Sequence, residues 1–467
     1  MSFFRLLQRS PRISVEPSHI EHAQRAISGG TGARFTLYLT ILAGASSVLI
    51  PNPVSAQVKQ LSLAGITAEQ ASQADLFVDS IGVGTHLTYD DTAYYTAWPQ
   101  VYQALKALNV RHIRDGVYSN PETSAFTTEH RILATSGIKT TYVVLWQADL
   151  TSQALVDFAN HVNDLESLEA PNECDALSNC GGGGNIGINN MLSILPRITS
   201  AGKTLGVPVI GPSFVLPASY LAAGNISSLI TYNNLHMYFG NLNPGSKGWG
   251  DLDKQGNAYG SFLYWLDQAN LNAPNIPSFV TETGYRSFVN PTEPYAISEA
   301  IGASYFPRIL LLAFAHGIKR TFIYELLDEF SSPAYGLVHS DFSPKPAYNS
   351  IKNMIAVLSD PGSTFIPGTL SYSVSGGDSS LNHLLLQKRD GTYWLILWLE
   401  KSSYGATDTP LPVAPQNIVL TLPGRPSAQQ MLWLDQSGNM SWKNIAQANS
   451  NVTLTVTDQI SIVKIIP

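Results

Sequence analysis

The chain has 467 residues, 44% of them hydrophobic, which is enough for a large barrel and a smaller second domain. Only 13% are charged and the formal net charge is −7, so nucleic acid, which calls for basic patches, is excluded as a partner class.

In chain order, residues 1–56 read as an export segment and not as part of the fold. Arg5, Arg9, Arg12, Arg25 and Arg34 precede the apolar run Phe35 to Ile50, and Val54-Ser55-Ala56 offers a small-residue cleavage site. The segment holds five Arg and two Glu, three net positive charges, so its removal takes the net charge from −7 to −10. The apolar run of 16 is short for a membrane span, so cleavage is expected and retention as a membrane anchor is the alternative. A secreted or periplasmic monomer follows.

Next comes an alternation of strand-like runs and amphipathic stretches, the pattern of βα units. The strand candidates are Leu76–Val83, Val110–Arg114, Thr140–Leu145, Leu165–Ala170, Val207–Ile210, Asn233–Tyr238, Pro277–Glu282 and Arg320–Glu325. Eight such strands within about 250 residues predict a (β/α)8 barrel, placed over residues 75–360. Leu165–Ala170 is the weakest, since its two glutamates suit a helix as well. Between the last strands a helix is predicted over Thr292–His316, capped by Thr292, with Pro294 in its first turn and Gly317 ending it. Pro307 is expected to kink or split it, and Ile309–Ala315 to be deeply buried. A final helix is expected over Pro346–Leu358.

From Gly368 the texture changes to β-type runs, His383–Gln387, Thr392–Leu399, Asn417–Leu422 and Val452–Val456, separated by Gly and Pro. They predict an antiparallel β-sandwich over residues 365–467, to which a strand from 57–74 can be added. Its aromatics, Tyr393, Trp394, Trp398, Trp433 and Trp442, suit polysaccharide binding and interface packing equally.

Two short stretches carry chemistry: Ala170-Pro171-Asn172-Glu173 and Val280-Thr281-Glu282-Thr283-Gly284. Each sets a glutamate at the C-terminal tip of a strand candidate or just past it, where an α/β barrel holds its functional groups. Glu173 and Glu282 are 109 residues apart. At roughly 30 to 36 residues per βα unit that is three units, the ends of strands four and seven, across the barrel mouth from each other. Two carboxylates facing one cleft are what cleavage of a glycosidic bond requires. The only cysteines, Cys174 and Cys180, sit in the loop after the first glutamate and are read as a local disulfide. No convincing ligand set for a metal accompanies them, and no cofactor is called for. Gly181 to Gly184 lacks the Lys-Ser/Thr pair of a phosphate cradle and is read as a flexible loop that lets the cysteine turn fold over the cleft.

These positions resemble clan A of the glycoside hydrolases, the retaining (β/α)8 enzymes. Asn172-Glu173 matches the clan's strand-four pair and Glu282 its strand-seven glutamate. Arg114 lies where the clan has a strand-two arginine, and His236 and Tyr238 match its strand-six His-x-Tyr. The resemblance implies that Glu173 is acid/base and Glu282 nucleophile, with Tyr238 bonded to the nucleophile. The chain departs from it in having Ala-Pro before Asn172, no strand-three histidine, and Tyr324 or Glu325 where many members carry a strand-eight tryptophan. Trp146 is then the nearest strand-three candidate to line the site. Tyr285 and Tyr324 stand open between sugar stacking and core.

The reading is therefore an exported retaining glycosidase acting on a poly- or oligosaccharide with β linkages. A carbohydrate-binding barrel without turnover and a transglycosylase using the same glutamates are the alternatives. In this reading Arg114 and Tyr238 keep Glu282 ionised, and Asn172 donates to the sugar 2-hydroxyl. Arg114 has a structural alternative as partner of Asp115 or Asp79. Glu325, Asp328 and Glu329 are assigned to helix ends or a barrel-rim arginine.

Overall fold

The computed structural model describes residues 65–117, 125–176, 180–292, 295–329, 334–404, 410–447 and 449–467. The export segment read over residues 1–56 lies outside them, as does Pro294. Among the described residues no helix is long and apolar enough to cross a membrane.

Eight short strands form one parallel sheet: β1 Ile81–Gly84, β2 His112–Gly116, β3 Lys139–Val143, β4 Leu165–Glu169, β5 Val209–Ile210, β6 Asn233–Tyr238, β7 Ser278–Gly284 and β8 Thr321–Ile323. They pair in chain order, and β8 returns to β1 through Thr321↔Ile81 and Phe322↔Gly82. Between β5 and β6 a parallel bridge, Ile210↔Tyr232, completes the ring. The result is a (β/α)8 barrel. The first strand candidate splits in two: Ala74–Asp79 is helical, burying Phe77 and Val78, and only Ile81–Gly84 is strand. The doubtful fourth candidate is a strand, and its glutamates have a physical reason to be there. A register shift against β3 pairs Thr140 with Leu165 and Thr141 with Ser167, so Glu166 is an extra residue. Its carboxylate meets Arg320 at 2.8 Å and His112 Nδ1 at 2.8 Å near the strand starts, where Asp79 also pairs with Arg320 at 3.2 Å.

The helix before β8 runs over Glu299–Ala315 and is shorter than the sequence pattern suggests, because Ser298 caps it by accepting from the Ile301 amide at 3.3 Å. It continues unbroken through Pro307 and stops at Gly317, which takes φ 81°. Its all-round apolar surface is matched by burial on all sides. The barrel lies on one side and the helix Pro346–Leu358 packs on another. On the sandwich side the Tyr305 hydroxyl accepts from the Ser403 amide at 2.7 Å.

The C-terminal strands are β9 Thr369–Ser375, β10 Leu381–Gln387, β11 Tyr393–Leu399, β12 Gln416–Thr421, β13 Ser427–Leu434, β14 Met440–Asn444, β15 Asn451–Val456 and β16 Ser461–Ile466. Thr67–Gln70 pairs antiparallel with β9, and Ser72–Gln73 pairs parallel with β10. The two sheets enclose Leu370, Tyr372, Leu395, Leu397, Leu420 and Val463. The outer face of the larger sheet packs on the barrel through Trp394, Ile396 and Trp398, so every residue of β11 is buried. A buried ion pair joins the halves: Arg308 of the long helix bonds Glu400, which also accepts from Trp398 Nε1 at 2.8 Å and Asn243 Nδ2 at 2.6 Å. Of the five sandwich aromatics, Trp394 and Trp398 are interface core, Tyr393 lies inside the sandwich, and Trp442 alone is well exposed.

Part of the barrel interior is apolar, filled by Ile210, Phe279 and Phe322. Gly82 of β1 makes room for Phe322, since a Cβ there would stand 2.4 Å from the ring. Gly82→Ala should therefore destabilise the protein by about 1–3 kcal/mol through overpacking, read as a lowered urea midpoint with unchanged slope. An unchanged midpoint would contradict the close packing of β1 on β8.

Candidate active site

The other part of the barrel interior is polar and is organised by Arg114 of β2. A guanidinium out of water must be met by carboxylates in good geometry. Its Nε and Nη2 bond both oxygens of Glu169 on β4, each at 2.8 Å, and Nη1 bonds Glu282 Oε1 on β7 at 2.6 Å. Nη2 also donates to Asn172 Oδ1 at 2.7 Å, which leaves the Asn172 amide nitrogen turned away from the guanidinium. Neither structural alternative for Arg114 is realised: Asp115 accepts from Thr85 and the Leu87 amide, and Asp79 pairs with Arg111, His112 and Arg320.

Glu282 lies within β7 and is held on both oxygens, with Tyr238 donating to Oε2 at 3.0 Å. His236, two residues before Tyr238 and on the same side of β6, sits between the glutamates. Its Nδ1 is 2.8 Å from Glu173 Oε1 and 3.4 Å from Glu282 Oε2, and its Nε2 is 3.0 Å from Thr281 Oγ1. Thr281 donates within a further network of Asn234 and Glu169. Burial alone would push the Glu282 carboxyl up. The charges of His236 and Arg114 and the bonds from Tyr238 and Arg114 outweigh it and hold the group below the usual carboxylate range. For His236 burial opposes the charge, yet Glu282 and Glu173 push its pKa up.

Glu173 is placed by its backbone. It stands just past β4 with φ 46°, in the left-handed region where a non-glycine residue is strained by about 1–3 kcal/mol. Several contacts fix that turn: the Glu173 amide donates to Ser213 Oγ at 3.2 Å, and Asp175 accepts from the Val215 and Leu216 amides at 3.2 and 2.8 Å. The Cys174–Cys180 disulfide, both residues fully buried, ties it to the following helix Gly184–Leu205. In the glycine run Gly181 abuts the Trp146 ring, whereas Gly184 has open space beside it. Gly183 caps that helix, and at Gly187 a Cβ would stand 1.7 Å from the Cys174 carbonyl oxygen.

The structure brings together Glu173, Glu282, Arg114, Asn172, His236 and Tyr238. It does not bring Tyr285 to them: that ring is buried among Phe239, Tyr305 and Phe306, and its hydroxyl bonds the Leu242 carbonyl at 2.8 Å. Trp146 is half-buried with its ring against Gly181 of the disulfide loop. Tyr324 stands at the mouth, in edge contact with His86 and Tyr335. Glu325 and Asp328 pair with neither a helix end nor an arginine. Glu325 meets His86 at 3.3 Å and Tyr94 at 3.2 Å, and Asp328 meets Lys345 at 2.8 Å.

Three participants escaped the sequence reading. Glu169 was visible as one of the two glutamates in the strand candidate Leu165–Ala170. Ser213 and Tyr335 carried no signal. Tyr335 packs edge-on against Tyr238, and burial together with the charges of Glu282 and Glu173 raises its hydroxyl to about 12 against the opposing charge of Arg286. A cavity of about 410 Å³ lies to one side, lined by Ser287, Phe288, Glu299, Asp328, Glu329 and His339, and includes neither glutamate of the pair.

Ligand atoms of Glu173, His236 and Glu282 lie within 4.8 Å of one another, the spread of a metal site. The donor set does not fit a cation, because Arg114 already occupies Glu282 at 2.6 Å and both His236 nitrogens are engaged. What the arrangement offers is a carboxylate pinned in its ionised form beside a second one in a bond with imidazole.

No protein-family profile matches the sequence, and no curated protein matches it. Among solved structures the fold is similar to that of a family 39 glycoside hydrolase from the gut symbiont Bacteroides cellulosilyticus WH2, at 16% identity over 84% of this chain and 82% of that one, with a TM-score of 0.55. The catalytic domain of GH30 xylanase C from Talaromyces cellulolyticus matches at 11% identity over 86% of this chain and 98% of that one, with a TM-score of 0.48. The first of these likenesses shows that the barrel fold is shared with a glycoside hydrolase.

Removing Glu169 leaves the Arg114 guanidinium with Glu282 as its remaining carboxylate. Glu169→Ala should cost about 3–5 kcal/mol of stability, measured by chemical denaturation. A loss below about 1 kcal/mol would show that the barrel interior does not depend on this pair.

Proposed function

We propose that the protein is an exported retaining glycoside hydrolase acting on a β-linked glycan, with Glu282 as nucleophile and Glu173 as acid/base. The observation that carries this reading is a pair of carboxylates less than 4.8 Å apart, oxygen to oxygen, in unlike surroundings. Inverting enzymes keep their two carboxyls roughly 6.5–9.5 Å apart to admit a water, whereas retaining ones hold them at about 5 Å. The buried disulfide fits the oxidising compartment implied by export.

The two roles follow from the surroundings. A Glu282 oxygen attacks the anomeric carbon, forming a glycosyl ester while the glycosidic bond breaks. The leaving oxygen takes a proton from the Glu173 side, where His236 holds a hydrogen bond to Oε1. Esterification removes the charge of Glu282. Glu173 then accepts a proton from water, whose oxygen attacks the same carbon and releases Glu282 as carboxylate. Asn172, its oxygen fixed by Arg114, presents its amide nitrogen to the sugar 2-hydroxyl.

Reducing-sugar release on a panel of β-glucans, xylans, mannans and galactans tests the reading. Glu282→Ala and Glu173→Ala should each abolish it, with Glu173→Ala retaining more activity on aryl glycosides whose leaving group needs no proton. Release that persists in Glu282→Ala would remove the nucleophile assignment. Binding without release anywhere on the panel would favour the non-catalytic barrel.

The pH profile supplies a second test. Catalysis needs ionised Glu282, so activity is lost as pH falls through a pKa held below the ordinary 4.5. Tyr238→Phe removes a donor to the ionised form, raises that pKa, and should move the acidic limb of kcat/KM to higher pH while lowering the rate roughly 10²-fold. A limb that stays in place would show that Tyr238 does not tune the carboxylate.

A further inference from the structure

A continuous run of rings leads from the nucleophile round the barrel rim. Tyr238, bonded to Glu282, contacts Tyr335 at 5.8 Å between centroids, Tyr335 contacts Tyr324 at 5.6 Å, Tyr324 contacts His86 at 5.6 Å, and His86 contacts Tyr89 at 4.6 Å. The first three contacts are edge-to-face, at 69–77°, between half-buried rings. The last differs. His86 and Tyr89 are stacked within 11°, so one face of Tyr89 is covered, and the residue is still 44% exposed. Single exposed aromatics are ordinary on protein surfaces. This one ends a ring series that begins at the reacting carboxylate, and it is held rigidly.

The holding is specific. The Tyr89 amide closes a turn onto the His86 carbonyl at 2.9 Å, and Asp115 of β2 accepts from Thr85 Oγ1 at 2.6 Å and from the Leu87 amide at 2.9 Å within the same turn. His86 is fixed from below by the fully buried Glu325 at 3.3 Å, whose other contact is the Tyr94 hydroxyl. Burial opposes a charge on His86, but Glu325, Glu329 and Asp115 push its pKa up to about 9, so at neutral pH a cation lies against the covered face of Tyr89. Burial and the charges of Glu325, Glu329, Asp115 and Glu282 raise the pKa of its hydroxyl. The ring is pre-set in orientation, at small entropic cost to a ligand.

Resting on the double-displacement reading above, we infer that Tyr89 is the platform for a second sugar ring on the glycone side of the cleft, so the protein takes β-linked chains with two or more rings there and not a lone terminal sugar. The side follows from strand order. Tyr89 follows β1, which neighbours β8 and then β7, the strand of Glu282, while Glu173 follows β4 across the mouth. The leaving group departs toward the residue that protonates it, and the retained portion lies toward the nucleophile and Tyr89.

Calorimetric titration of full-length Glu282→Gln protein with the mono- to hexasaccharides of the laminari-, cello-, xylo- and manno- series tests this without turnover. At least one series should bind more tightly as a trisaccharide or longer than as its monosaccharide. Adding Tyr89→Ala should weaken the longer ligand about five- to tenfold, and Tyr89→Phe, which keeps the ring, should restore it. Equal affinity in Tyr89→Ala, affinity that does not grow with length, or no binding to any probe overturns the inference. Hydrolysis by the unmodified protein with a flat Tyr89 response removes the platform and leaves the proposed function. Length-dependent, Tyr89-dependent binding with no hydrolysis does the reverse.

Discussion

The buried guanidinium of Arg114 is the constraint on which the rest of the site depends. A permanent cation in a barrel interior is tolerable only when carboxylates meet it at hydrogen-bond distance, and Glu169 and Glu282 do so from opposite sides. Because the guanidinium is planar, satisfying Glu169 through Nε and Nη2 aims Nη1 at Glu282 and the second N–H of Nη2 at Asn172. One residue on β2 thus fixes the ionisation of the carboxylate on β7 and the amide orientation after β4. His236 lies between the two glutamates, 2.8 Å from Glu173 and 3.4 Å from Glu282, which makes their environments unequal.

Around that centre the fold divides its labour. The starts of the strands are stitched by Glu166, His112, Arg320 and Asp79, and an apolar cluster of Phe279 and Phe322 fills part of the interior. The sandwich does more than sit beside the barrel. Glu400, at the end of β11, reaches Arg308 of the long helix and Asn243 and Gly245 of the loop that follows Tyr238. Tyr285, left open between sugar stacking and core by the sequence, braces that loop through the Leu242 carbonyl. An aromatic beside the strand of Glu282 can thus serve the candidate site by supporting a loop without reaching its carboxylates.

Much of this was legible in the chain because strand order and spacing are properties of sequence. The strand-four and strand-seven glutamates, Arg114, His236 and Tyr238 each fall at a strand's end or along its inward face, and period-two alternation lets such positions be read. What was hidden depends on three-dimensional juxtaposition. Glu169 looked like evidence for a helix, because a charge in a strand has no local explanation until its partner 55 residues away is known. Tyr335 and Ser213 lie in segments without periodicity. The helical turn Ala74–Asp79 has strand-like composition, and tertiary burial of Phe77 and Val78 decided it. The choice between core and ligand for Tyr285, Trp146 and Tyr324 rests on loop paths, which no pattern of residue types encodes.

The central claim is that the close pair of carboxylates acts by double displacement, and stereochemistry reads it most directly. Proton NMR of the first product formed from a β-linked substrate of the panel, recorded before mutarotation, distinguishes the two outcomes. A β-anomer formed first is the predicted result and means that the configuration passed through an intermediate on Glu282. An α-anomer formed first would mean a single displacement by water, and would contradict the roles assigned to both glutamates.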